Sequence, residues 1–163
     1  EFGMQTIHDT TLTAINRCQT HEDFLRAYEM VRSRDISHCV HVILGLPGES
    51  RDDMLATAEC LYDLDVEGVK IHLLVAMEET PLATMYHDGL WTPLSFEEYI
   101  PLVCDFIERL PEKCILHRVS GNGHPLHVVA PTWVYKQKKA VMEAITAELS
   151  HRGTRQGTYH GRH

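Results

Sequence analysis

The sequence predicts an α/β fold in which a parallel sheet carries helices, and two observations support this class. Short apolar runs rich in β-branched residues, clearest at Cys39–Leu44 and Val69–Val75, recur along the 163 residues and suit strands buried in a parallel sheet. Segments with helical periodicity lie between these runs. The resulting alternation of strand and helix favours right-handed β-α-β crossovers.

Two weaker apolar runs, Met4–Ile7 and Cys114–Val119, complete a set of four predicted strands. Three helices are predicted from capping boxes, in which a Ser or Thr is followed three residues later by an acidic residue. These boxes begin at Thr20, Ser50 and Ser95.

A short helix is predicted near Leu82–His87, and a last helix from about Trp133 to Ser150. We expect residues 1–131 to form the strand-and-helix unit and residues 132–163 to form a C-terminal helix and tail. The Gly-rich polar tail from Gly157 onward has no core-forming pattern and is expected to be loose.

Composition narrows the function classes. Hydrophobic residues make up 44% of the chain, which suffices for a packed core, and the net charge of -8 argues against a general nucleic-acid clamp. Lys136, Lys138 and Lys139 form a small basic patch that could contact RNA, although a solvated helix face explains it better. No apolar run is long enough to predict a membrane span. Five widely spaced cysteines without a disulfide framework predict a cytoplasmic protein.

Polar side chains on the predicted strands are the main indication of a site. They are Glu1, Gln5, His41, Lys70 and His72. Because side chains alternate across a strand, such residues would project from one face of the sheet, where buried charge is costly unless it is paired or lines a wet cavity. A ligand in a barrel or half-barrel lumen explains the set. Taken singly, each residue could also be a strand-end side chain reaching solvent or a satisfied core histidine.

A glycine-rich loop, Gly45-Leu46-Pro47-Gly48, follows the second strand and precedes a helix. Glycines let a backbone approach a ligand closely, and a helix N-terminus favours an anion. This loop therefore supports an alternative function, a non-catalytic α/β module that binds an anionic ligand. It would equally serve as a plain turn between strand and helix.

Four segments in this order resemble the second half of a radical S-adenosylmethionine (radical SAM) enzyme. They are Glu1-x-Gly3-x-Gln5-Thr6, Leu12–Arg17, Val42–Glu49 and Val69–Leu74. The resemblance is to a bacterial group related to the Elongator catalytic subunit and, more distantly, to oxygen-independent coproporphyrinogen oxidase. It implies a partial (β/α)6 barrel, with this chain beginning at the fourth barrel strand.

The resemblance also implies a cofactor site. Gln5, and Arg17 in the next helix, match residues that contact S-adenosylmethionine in the family. Glu1 matches an acidic residue often present before the Gly-x-Gln. His41 occupies a cofactor-facing position where relatives often carry Asp.

Two further sets of matched positions complete the implied site. Gly45, Pro47 and Gly48 match the turn after the fifth barrel strand, which belongs to the cofactor site. Lys70 and His72 match lumen positions, where substrate would bind. In such enzymes a [4Fe–4S] cluster reductively cleaves the cofactor to a 5′-deoxyadenosyl radical, which takes a hydrogen atom from the substrate.

The sequence lacks the Cys-x-x-x-Cys-x-x-Cys segment that holds the cluster in this family. We therefore expect the chain to be the C-terminal part of a larger enzyme, to lack the N-terminal half of the barrel as a partner, and to be inactive alone. Open sheet edges would favour self-association. A metal hydrolase using His117, His124 and His127 is a further alternative, although no general-base carboxylate lies near this pattern.

Overall fold

The computed structural model describes residues 1–120, 127–136 and 138–160. Strands in this part of the chain are β1 (Phe2–Gln5), β2 (Val40–Leu44), β3 (Gly68–Leu73), β4 (Ala76–Met77), β5 (Ile115–Val119) and β6 (Val128–Ala130). Helices are α1 (Asp9–Ala14), α2 (His21–Arg32), α3 (Arg51–Asp63), α4 (Pro81–His87), α5 (Phe96–Arg109), α6 (Trp133–Lys136) and α7 (Lys138–Arg152).

The main sheet is parallel, as the sequence predicts. Its four strands lie in the order β1-β2-β3-β5, while β4 and β6 form a separate antiparallel pair. The four predicted strands all form. Within the described residues the main sheet does not close, so β1 and β5 are its edges. No described helix has both the length and the apolar character needed to cross a bilayer.

All three predicted capping boxes are present. Thr20, Ser50 and Ser95 each accept a hydrogen bond from the backbone N–H three residues on, and the acid at that position accepts from the cap in return. This reciprocal pairing satisfies donors that a helix N-terminus otherwise leaves open. Helix α5 begins at Phe96 and continues through Pro101, so the proline does not delay its start.

The two faces of the sheet differ in character. Alternate residues, such as Val40 and Val42 of β2, are fully buried and join the apolar core with helices α3 and α5. The residues between them, His41 of β2 with Lys70 and His72 of β3, are only partly buried. The period of two therefore places polar side chains on the face opposite the core, which supports a lumen rather than a second packed layer.

The C-terminal tail differs from the loose segment that the sequence predicts. The Gln156 side-chain amide donates to the carbonyl oxygens of Pro111 at 2.7 Å and Cys114 at 2.6 Å. The His160 ring stacks on Tyr62 with centroids 3.5 Å apart. These contacts attach residues 153–160 to the loop after α5 and to α3, while residues 161–163 lie outside the described part.

Glu49 is a partly buried carboxyl in the turn before α3, close to the Thr6 and Thr11 hydroxyls. Its Oε1 atom is buried without a hydrogen-bond partner among the described residues. Burial raises the pKa of Glu49, against the weaker effect of the Thr6 and Thr11 hydroxyls, which lower it. The ionised form is therefore the less stable form in the folded state.

Replacing Glu49 with Gln should stabilise the protein at pH 7. A carboxyl whose folded pKa is raised contributes stability at low pH and loses it as pH rises through that pKa. The Gln amide has no charge to desolvate, and loss of this poorly paired buried charge predicts a gain of about 1 kcal/mol. Urea unfolding at pH 7 and pH 4 measures this, and the gain should shrink at pH 4. Glu22→Gln on exposed α2 is the control; an E49Q variant less stable than wild type at pH 7 would contradict the assignment.

Candidate functional site

A bulge in β1 sets the position of Gln5. Gly3 pairs with His41 and Gln5 pairs with Val42, so three residues of β1 oppose two of β2. Gln5 takes a positive φ of 67°, a conformation uncommon for a residue with a side chain. Bulges of this kind redirect side chains next to active sites. Here the bulge turns the Gln5 amide back over Gly3.

Arg17 reaches the same point from the turn after α1. Its backbone N–H donates to the Leu12 carbonyl at 2.9 Å, which with Asn16 at φ 54° forms a Schellman C-cap. Arg17 thus lies just beyond the helix, not within it as the resemblance implies. Its Nη2 donates to the Gly3 carbonyl at 3.0 Å, and its buried Nε has no hydrogen-bond partner in the described structure.

Gly3 makes room for both side chains. A Cβ added at Gly3 would lie 2.5 Å from Gln5 Nε2 and 2.6 Å from Arg17 Nη2. Contacts this short exclude any larger residue unless the amide and the guanidinium move away. The three residues therefore form a cradle, defined by Gly3, Gln5 and Arg17, in which two groups rich in hydrogen-bond donors are held side by side.

A charged cluster continues from β1 across the sheet. Glu1 accepts from Lys70 Nζ through one carboxylate oxygen and lies 2.9 Å from His41 Nε2 through the other. The hydrogen bond from Lys70, with that from His41, lowers the pKa of Glu1 to about 2. Arg118 of β5 pairs in register with Lys70 and adds a second cation to this part of the sheet.

Two histidines connect this cluster to the cavity. His41 Nδ1 lies 3.3 Å from His72 Nε2, and the two rings stack with centroids 5.2 Å apart. Burial, together with smaller effects of the neighbouring His41, Arg118 and Lys70, lowers the pKa of His72 to about 4. His72 is therefore neutral at physiological pH.

A cavity of about 290 Å³ opens where these elements meet. It is lined by Gln5, His41, Ile43, His72, Leu73, Leu74, Val75 and Met77. The structure thus brings Gln5, His41 and His72 to one space, with Glu1 and Lys70 attached to it through His41. Sequence reasoning missed Ile43, which shares the His41 face by simple alternation. It also missed Met77 and Arg118.

The glycine-rich loop stands beside this cavity, and Gly45, Pro47 and Gly48 do not line it. Gly45, at φ 87°, packs near Leu74 and is held by a hydrogen bond from Trp91 Nε1 to its carbonyl at 3.0 Å. Gly48 takes φ 83° in the turn before α3. The first turn of α3 already carries acidic side chains, which disfavours an anion there and weakens the case for an anion-binding module.

The histidines considered for a metal hydrolase do not gather into a site in the described part of the chain. Residues 121–126, including His124, lie outside that part, and among described residues no three His, Cys, Asp or Glu side chains group as metal ligands. His117 and His127 are both exposed.

The basic patch on the last helix is described only in part. Lys139 pairs with Glu143 at 3.6 Å, whereas the side chains of Lys136 and Lys138 lie outside the described structure. RNA binding at this patch stays a prediction.

Comparison with known protein families shows to which family this chain belongs. The profile of the radical SAM superfamily matches residues 1–61, and that of the radical SAM C-terminal domain matches residues 66–151. The chain belongs to the radical SAM superfamily. The resemblance inferred from the sequence is therefore confirmed.

Curated proteins match this chain over most of its length. YtqA of Bacillus subtilis, an uncharacterized protein, is 40% identical over 98% of this chain and 49% of its own length. A biotin synthase of Thermodesulfovibrio yellowstonii is 30% identical over 82% of this chain and 41% of its own length. This radical SAM chain thus spans about half the length of the curated relatives it matches.

A solved structure shares the radical SAM fold. Elp3 of Methanocaldococcus infernus, with an N-terminal deletion, superposes with a TM-score of 0.81 over 94% of this chain and 36% of its own, at 20% identity. The arrangement of parallel strands and outer helices is thus that of the Elp3 radical SAM domain. This likeness concerns the fold.

Proposed function

We propose that this chain binds S-adenosylmethionine in the cavity beside the Gly3–Gln5–Arg17 cradle, as part of a radical SAM enzyme. The observation that carries the proposal is the cradle itself. Arg17 keeps a buried Nε without a partner among the described residues, and the lack of a side chain at Gly3 lets the Gln5 amide and the Arg17 guanidinium lie side by side. A buried donor without a hydrogen-bond partner lowers the stability of the folded protein. The unpaired guanidinium donor of Arg17 therefore indicates a ligand that supplies the missing acceptor.

Each group of the cradle suits a part of this cofactor. The Arg17 guanidinium offers parallel donors that match a carboxylate. The Gln5 amide offers both donor and acceptor to a neighbouring polar group. Once reduced, bound S-adenosylmethionine supplies a carbon-centred radical that takes a hydrogen atom from a substrate.

The remaining predicted residues fit two supporting roles. Gly45, Pro47 and Gly48 belong to one turn, in which Gly45 lies close to the cavity-lining Leu74, so we propose that this turn shapes the cofactor site from behind. Lys70 and His72 lie on the next strand and, in our proposal, bind the substrate. Glu1 orients both Lys70 and His41 through its two carboxylate oxygens.

The cysteines of this chain do not fit an iron–sulfur cluster. All five are free and scattered over different elements, and burial raises the pKa of Cys104 to about 11 and that of Cys114 to about 12. In our proposal a different segment holds the cluster and pairs with the open edge of β1, and this chain alone cleaves no cofactor. Free thiols also support the proposed cytoplasmic location.

Calorimetric titration of the chain with S-adenosylmethionine tests this function. Arg17→Met should weaken binding by about tenfold to a hundredfold, the loss of one or two hydrogen bonds to a charged group. The same variant should leave binding of 5′-deoxyadenosine unchanged, because that nucleoside has no carboxylate. Arg26→Met on exposed α2 is the control.

Two results would overturn the proposed function. One is a wild-type chain that binds neither ligand. The other is an R17M variant whose affinity for S-adenosylmethionine equals that of wild type.

A further inference from the structure

The hydrogen bonds among Glu1, His41 and His72 fix where the protons lie. The ionised Glu1 carboxylate only accepts hydrogen bonds, so His41 Nε2, 2.9 Å away, carries a hydrogen. A neutral His41 must then accept at Nδ1. In this neutral form of His41, the hydrogen in the 3.3 Å contact between the imidazoles belongs to His72 Nε2.

This assignment leaves His72 Nδ1 with a lone pair. No described residue forms a hydrogen bond with that atom, and His72 lines the cavity together with His41. The lone pair is thus available to an N–H or O–H group that enters the cavity. If one proton is added to the pair, the same contacts remain satisfied with their roles reversed: His41 donates from Nδ1, and His72 becomes a donor at Nδ1.

We propose that Glu1, His41 and His72 form a proton relay that takes a proton from a substrate N–H or O–H in the cavity. The substrate proton moves to His72 Nδ1, and the His72 Nε2 proton moves to His41 Nδ1. The substrate loses one proton, His72 stays neutral with its tautomer exchanged, and His41 becomes an imidazolium held by the Glu1 carboxylate. The relay rests on the proposed function, because it assumes that substrate occupies this cavity.

Charges around the two rings set the direction of the relay. His72 lies next to Lys70 on its own strand, Arg118 on β5 and His41 on β2, all of which oppose a positive charge on it, and the more distant Glu1 carboxylate offsets them only weakly. His41 contacts the Glu1 carboxylate directly, which stabilises a positive charge there. A proton that enters at His72 is therefore held at His41, as in hydrogen-bonded carboxylate–imidazole pairs whose acid stays ionised.

Long-range ¹H–¹⁵N NMR of the histidine-labelled chain tests the relay without substrate or cofactor. We expect His41 and His72 both to be Nε2–H tautomers at pH 7, assigned from His41→Gln and His72→Gln variants. Glu1 does not contact His72, yet Glu1→Gln should convert His72 to a mixture of tautomers. The reason is that an amide can donate as well as accept, so it no longer determines which His41 nitrogen carries the hydrogen. Glu22→Gln should change neither ring.

The outcomes separate this inference from the proposed function. A His72 that is Nδ1–H at pH 7, or that keeps its tautomer in E1Q, overturns the relay even where S-adenosylmethionine binds. The expected tautomers in a chain that fails to bind S-adenosylmethionine support the proton chemistry and overturn the cofactor proposal alone. The tautomers and the S-adenosylmethionine affinity of the wild-type chain are enough to distinguish the two proposals. The distinction therefore holds even if E1Q does not fold.

Discussion

Gly3→Ala should weaken S-adenosylmethionine binding by about tenfold to a hundredfold, as expected when hydrogen bonds to a charged group are lost. The new Cβ would lie 2.5 Å from Gln5 Nε2 and 2.6 Å from Arg17 Nη2, so both groups must move. They are the far ends of flexible side chains, so moving them costs the fold little. Calorimetric titration and urea unfolding of the same variant should therefore show lost binding with near-normal stability.

Gly68→Ala is the matched control for this substitution. Gly68 begins β3, where an added Cβ would meet the His117 ring at 2.9 Å and leave the cradle untouched. Binding should stay at the wild-type level in this variant. Full affinity in G3A would show that Gln5 and Arg17 do not hold the cofactor, whereas equal losses in both glycine variants would point to a general disturbance of the sheet.

Local sequence patterns were sufficient to predict the structural features that are determined within a single short segment. The boxes at Thr20, Ser50 and Ser95 each satisfy backbone donors within four residues, so the helix starts could be predicted without tertiary information. Alternation along β2 and β3 likewise predicted the polar face, because a buried Val on one side fixes the direction of His41 on the other.

Contacts between distant segments could not be predicted in this way. The positive φ of Gln5 depends on the bulge against β2, and nothing in the run around Met4 signals it. Arg118 stands beside Lys70 because the register shifts between β3 and β5, which no local pattern encodes. The tail from Gly157 onward was misjudged for the same reason, since the Glu108 carbonyl that Tyr159 contacts and the Tyr62 ring on which His160 stacks lie more than 50 residues earlier.

The cradle and the relay occupy one site but depend on different physical effects. The cradle depends on the room above Gly3 and on unpaired hydrogen-bond donors. A substitution that fills this room should therefore lower the affinity for the cofactor. The relay depends on which histidine nitrogen carries each hydrogen. A substitution that alters the charges around the two rings should therefore change the histidine tautomers. His41 lies between the two: it lines the cavity together with Gln5 of the cradle, and it contacts His72 of the relay. A change at His41 should therefore affect both measurements, whereas Gly3→Ala should affect affinity alone.

Tyr99→Ala should destabilise the protein by about 3–5 kcal/mol, the range for large aromatic side chains removed from a core. Tyr99 is fully buried in α5, and its ring packs 5.5 Å from that of Trp133. Its hydroxyl donates to the Val119 carbonyl at 3.0 Å, which ties the last residue of β5 to the helix beneath the sheet. Urea unfolding at pH 7 measures the loss, a large share of the roughly 5–15 kcal/mol typical of a folded domain.

Tyr99→Phe separates the ring from the hydroxyl. It keeps the packing and removes one buried hydrogen bond, so it should cost about 1–2 kcal/mol, including the unpaired Val119 carbonyl that remains. Since Arg118 precedes Val119 in β5, a loosened strand end should also shift the NMR signals of His72, which Arg118 influences. Equal losses of unfolding free energy in Y99F and Y99A would mean that the hydroxyl, not the packed ring, holds β5 against the helices.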